Sequence, residues 1–93
     1  MAADLKEKTD RYKGLLRAAL DDVRISASDG SFMEKVANDY LNLANCYYDD
    51  GVHFIEDGDL VNALVCFSYG HAWLDAGVRL GVFSVTKKDL FAA

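Results

Sequence analysis

Not one of the 93 residues is proline. Proline removes a backbone donor and breaks helices, so a chain without it can carry long uninterrupted helices. Three segments are patterned to use that freedom. Leu5, Thr9, Tyr12, Leu16, Ala19 and Val23 recur at spacings of four and three, which is one face of a helix. The segment RISASDGS, residues 24–31, breaks this pattern and reads as a loop. A second helix starts after Ser31, which with Glu34 forms a capping box. Its apolar or small positions are Val36, Tyr40, Leu43, Tyr47, Gly51 and Phe54. Asp57-Gly58-Asp59 is a tight turn, with Gly58 suited to a left-handed cap and Asp59 to capping the next helix. The third helix runs from about Leu60 to Leu80, and Gly81 sits where a C-terminal cap glycine belongs. No strand-like alternation is evident. The pattern predicts an all-α, up-and-down three-helix bundle, a single domain over residues 1–93 with helices at about 3–25, 32–56 and 60–80. The tail VFSVTKKDLFAA is apolar enough to fold back, but too short for an element to be assigned.

The second and third helices, joined by so short a turn, form an antiparallel hairpin. In its paired tyrosines, Gly-Asp-Leu turn and following alanine, this hairpin resembles one tetratricopeptide unit. No second copy recurs at a fixed period, and such arrays need about three repeats, so a solenoid is rejected.

Charge and composition narrow the function. A small domain leaves much of its surface in water, and 52% of the residues are apolar, so some apolar surface is assigned to an interface. The net charge of −5 argues against non-specific nucleic-acid binding, which depends on neutralising phosphates. Lys6, Lys13, Arg17 and Arg24 of the first helix are the basic stripe, diluted by acidic neighbours. The start, MAADLKEKTD, lacks the apolar core of a signal peptide. The longest uncharged stretch, Leu60 to Leu74, is too short to span a bilayer. These features predict a cytoplasmic protein with no membrane partner, in which Cys46 and Cys66 are reduced thiols.

The third helix holds the most chemistry: CFSYGHAWLDAGVRLG, residues 66–81. At about 100° per residue, Ala63, Cys66, Phe67, Gly70, Trp73, Leu74 and Gly77 share one face. Ser68, Asp75 and Arg79 lie opposite, with His71 on the edge. Each interior glycine costs roughly 1 kcal/mol relative to alanine, so Gly70 and Gly77 need an offset from a close backbone or an overlying ring. Tyr12, Tyr40 and Tyr47 are the rings available on the other helices. Ala63, Gly70, Trp73 and Gly77 are therefore assigned to helix packing.

On the polar side, Ser68, His71 and Asp75 have the residue types of a serine triad. A mid-helix serine usually bonds its own backbone, and no oxyanion hole is in view, so no catalytic residue is assigned. Asp75 and Arg79 are placed as an i,i+4 pair on a solvated face. Asp50 and His53 have the carboxylate-x-x-His spacing of di-iron bundles, but His71 lies about 12 Å from His53 along the hairpin axis, and no second pair exists. No metal and no cofactor is expected. Tyr69, His71, Asp75 and Arg79 remain as candidate binding residues.

The residues YGHAWLDAGVRLG (69–81), the preceding turn GDLVNAL (58–64), the tyrosine-rich second helix and the LKEKTDRY start resemble the signature of a small archaeal family of short three-helix proteins, a domain of unknown function. The resemblance covers most of the chain. It implies a left-handed three-helix bundle without an established activity. Some relatives resemble an appendage to nucleotidyltransferase-like domains, which implies an accessory role near nucleotide chemistry. The leading expectation is a non-catalytic helical interaction or accessory module that self-associates as a homo-oligomer or docks on a larger protein. The alternative is a small-ligand or nucleotide-binding protein using the polar face of the third helix.

Overall fold

The computed structural model describes residues 4–92. Three helices dominate it: α1 (Leu5–Asp22), α2 (Phe32–Glu56) and α3 (Leu60–Leu80). They pack as an all-α three-helix bundle in which α3 lies between α1 and α2, and those two touch each other much less.

Local chemistry sets most of the boundaries. Asp4 caps α1 by accepting the Glu7 N–H at 3.1 Å. Ser31 Oγ accepts the Glu34 N–H at 3.1 Å, and the Glu34 carboxylate reaches back to the Gly30 N–H rather than to that of Ser31. The Ser31 N–H is already donated to the Ser28 carbonyl. Gly58 takes φ +79° in the turn, Asp59 caps α3 through the Asn62 N–H, and Gly81 ends α3 at φ +89°. Both glycines hold a left-handed conformation that a side chain would strain.

Two expectations change. The first helix ends at Asp22, not near residue 25, and its expected start at residue 3 lies outside the described residues. The chain also contains strands. Arg24–Ile25 (β1) pairs antiparallel with Phe83–Ser84 (β2), in the register Arg24↔Ser84 and Ile25↔Phe83. Two-residue strands carry no alternation to read, and these partners lie at opposite ends of the chain.

The core joins all three helices to the tail: Leu16, Ala19, Leu20 and Val23 from α1, Ala37 and Ala44 from α2, Ala63, Phe67 and Leu74 from α3, then Val82 and Phe83. Small residues repeat every seven positions on both hairpin helices. Ala37, Ala44 and Gly51 are the buried residues of α2, and Ala63, Gly70 and Gly77 are buried on α3. Rows of this kind let backbones approach closely. A Cβ on Gly70 would lie 3.0 Å from both Leu16 Cδ2 and Tyr47 Cβ, and 3.3 Å from the Ala44 carbonyl oxygen. The tyrosines of α2 flank this seam. Tyr40 meets Trp73 edge-on at 5.0 Å, and Tyr47 lies 4.8 Å from Tyr69.

Candidate functional site

Beyond α3 the chain folds back along the molecule. Val82 and Phe83 are buried, and the Phe83 ring fills the space above Gly77. The ring offsetting this glycine therefore comes from the tail, not from a tyrosine of another helix. The Ser26 N–H and hydroxyl donate to the Val82 and Gly81 carbonyls. Asp22, the last residue of α1, then clamps the next turn: its carboxylate accepts the Thr86 N–H and hydroxyl and the Lys87 N–H. A short 3-10 turn, Lys88–Leu90, packs beside α1 and brings the chain to the edge of α3.

There it meets two of the candidate binding residues. His71 Nε2 lies 2.6 Å from the Leu90 carbonyl oxygen. A carbonyl only accepts, so Nε2 carries the proton and donates. One turn on, Asp75 Oδ1 accepts the Ala92 N–H at 3.0 Å and lies 3.9 Å from His71 Nε2. Both side chains are largely covered, and the Phe91 ring sits 6.0 Å from the imidazole. The polar edge of α3 is thus a seat for the tail rather than a solvated face. The expected Asp75–Arg79 pair does not form: Asp75 is turned to the tail, and Arg79 is exposed without an ion pair among the described residues.

The four candidate residues are not brought together. His71 and Asp75 border a groove of about 420 Å³ between α1, α3 and the tail, with Arg11, Tyr12, Phe67 and Ser68 also lining it. Arg11 is held by Glu7 at 3.0 Å. Tyr69 lies on another side of α3, between Tyr47 and Trp73. Helical spacing groups residues by angle and carries no information on what covers each angle. The run Val82-Phe83-Ser84-Val85-Thr86 is the signal for the tail, since β-branched and aromatic residues of this kind favour an extended segment.

The Asp22 clamp has a pH signature. The Thr86 hydroxyl first, then the Lys87 N–H, hold the Asp22 carboxyl below its ordinary value of 3.8. A lowered folded-state value stabilises the clamped form above the unfolded value and loses that stabilisation as pH falls through the folded value. The Thr86 and Lys87 amide resonances should therefore titrate together with a midpoint below 3.8, and Asp22→Asn should abolish that transition. A midpoint at or above 3.8 would remove the clamp from the account.

The thiols are separate. Burial, with the nearby Asp50 carboxylate, pushes the Cys66 thiol up and away from the reactive thiolate. Cys46 is exposed on α2. His53 is also exposed and faces Glu56 at 3.7 Å. Among the described residues no three His, Cys, Asp or Glu side chains converge as metal ligands. Of the basic stripe, Lys6 and Arg17 are each paired with an acid one turn away, and Arg24 falls in β1 rather than in the first helix.

The remaining side of α3 is open. Val61, Val65, Tyr69 and Leu80 are 60, 55, 51 and 51% exposed, and Ser68, Ala72 and Ala76 lie among them. No helix of the described residues is long and apolar enough to cross a membrane. The model of a family described as protein of unknown function (DUF357) matches residues 11–83, from within α1 to the first residue of β2. The chain belongs to this family. No curated protein and no solved structure matches it. The DUF357 match takes in all of α2 and α3 and stops before the tail seat at His71 and Asp75 is complete, because Leu90 and Ala92 lie beyond it.

Proposed function

We propose that this protein is a non-catalytic helical interaction module that docks through the open face of α3. One observation carries the proposal. α3 is apolar on two sides apart from its polar edge: its inner face is packed against α1 and α2, yet Val61, Val65, Tyr69 and Leu80 remain in water on the outside. A second apolar side on a helix already buried on its first marks a surface for a partner. Leu64, Val65, Ser68, Tyr69 and Ala72 line a shallow, almost wholly apolar depression on that face.

A small ligand or nucleotide held by Tyr69, His71, Asp75 and Arg79 is not supported by the geometry. His71 and Asp75 hydrogen-bond the tail, Tyr69 packs on Tyr47, and Arg79 stands apart.

The test is native mass spectrometry of the protein gently purified from its own cells, beside the variant Val65→Lys/Tyr69→Asp. Val65 is exposed and Tyr69→Asp gives up only the contacts of a half-exposed ring with Tyr47 and Trp73, so circular dichroism should still show the helices folded. The expected result is a protein complex, with a larger partner or another copy, that the variant loses. A wild-type chain that flies alone, or alone with a small molecule, would overturn the proposal.

A further inference from the structure

The open face of α3 also indicates its occupant. Resting on the docking role above, we propose that the face binds a second copy of this chain, with the two α3 helices antiparallel about a two-fold axis near Ser68–Ala72.

Charge placement decides the orientation. From Leu60 to Leu74 α3 has no charged residue, so the centre of the face presents nothing that two copies would have to desolvate as an ion. Asp75, one turn before Arg79, is turned to the tail and accepts the Ala92 N–H, so the charges left at the two ends of the open face differ in sign. At the start of α3 the turn carries Glu56, Asp57 and Asp59. At its far end Arg79 projects from the same side as Val61, five turns on, with no ion pair among the described residues. Parallel pairing would set Arg79 against Arg79 and one acidic turn against the other. Antiparallel pairing sets each Arg79 against the acidic turn of the other copy, twice by symmetry. It also opposes the two helix dipoles.

Side-chain size fits the same axis. Ser68, Ala72 and Ala76 form the middle of the face and are small, which permits an interaxial distance of about 8 Å. Val65 and Tyr69 then pack beside the axis, and Val61 meets Leu80 of the second copy. α3 has 21 residues and is about 31 Å long. Two such faces at this separation bury on the order of 600 Å² each, which places the pair at the low end of stable interfaces, about 1,200 Å² in total. The expected dimer is consequently a concentration-dependent one.

The experiment is sedimentation equilibrium of the purified full chain from micromolar to millimolar concentration, with Arg79→Glu, Asp57→Arg and the double variant. Asp57 and Arg79 are both exposed, and neither side chain makes a hydrogen bond or ion pair among the described residues, so the fold should be untouched. Wild type should dimerise, each single reversal should weaken the dimer about tenfold, and the double variant should recover it, since rim charges act mainly through complementarity. A chain that stays monomeric throughout would overturn the second copy as occupant. So would a dimer indifferent to both reversals, or single losses that the double variant does not repair. These failures are distinguishable from failure of the docking role. A monomeric chain that still loses a larger cellular partner on Val65→Lys/Tyr69→Asp substitution keeps the face and changes only its occupant.

Discussion

Phe67→Ala should remove about 3–5 kcal/mol of stability, the usual range for emptying a buried aromatic site. A chain of 93 residues holds roughly 5–14 kcal/mol in total, so the variant keeps only part of its native population or none. Phe67 is 1% exposed and heads the fully buried side chains by volume. Its ring lies in the α2–α3 seam, where a Cβ on Gly51 would come within 2.7 Å of Cζ and 2.8 Å of Cδ1. The Tyr48 ring packs on it as well, with ring centroids 5.9 Å apart. Glycine at 51 and phenylalanine at 67 are therefore one fitted pair. Gly51→Ala gains about 1 kcal/mol of helix propensity but forces the ring aside, at a cost of about 1–3 kcal/mol. The net sign is destabilising as long as Phe67 is present, and Phe67→Leu in the same chain should return part of the loss. Urea unfolding of Phe67→Ala, Gly51→Ala, Phe67→Leu and the Gly51→Ala/Phe67→Leu double variant measures this coupling. A Phe67→Ala cost below about 1 kcal/mol, or additive effects at 51 and 67, would show that the ring does not key the hairpin.

The hairpin was legible in the sequence because its signals are local. Ser31, the Asp57-Gly58-Asp59 turn and Gly81 each act within four residues, and the boundaries of α2 and α3 follow from them. The end of α1 was not, because Val23 turns extended and Arg24–Ile25 pair with a strand from the far end of the chain. The inward residues of α2 shifted for a related reason. Large apolar side chains mark a helix face most visibly, but where two backbones approach closely the buried positions are the small ones, here Ala37, Ala44 and Gly51. The candidate site suffered most. His71 and Asp75 fall on the polar edge of α3 by angle alone, and their actual partners are backbone atoms of Leu90 and Ala92. A backbone partner is open to any residue type, so the identity of the tail residues gives no clue to the contact.

Gly77→Val should release the tail while leaving the hairpin folded. A Cβ at position 77 would overlap the Phe83 ring. That ring cannot easily yield, since Phe83 is 4% exposed and its strand is paired to Ile25. The cost of overpacking is about 1–3 kcal/mol, against a propensity gain of well under 1 kcal/mol for a β-branched residue, so overlap wins. The strain falls on the weakest attachment. Beyond Phe83 the tail is held by Asp22 at Thr86 and Lys87, by His71 at Leu90 and by Asp75 at Ala92, all near the surface. Hydrogen exchange should therefore quicken from Phe83 to Ala92 and at Arg24–Ser26, with α2 and most of α3 keeping their protection. His71 and Asp75 would become open to water in the same variant. Phe83→Leu added to Gly77→Val should restore part of the protection, because the smaller side chain clears the new methyls. Unchanged exchange over Phe83–Ala92 would mean that the ring above Gly77 does not seat the tail. Loss of protection throughout α2 and α3 would mean instead that the tail is an inseparable part of the core.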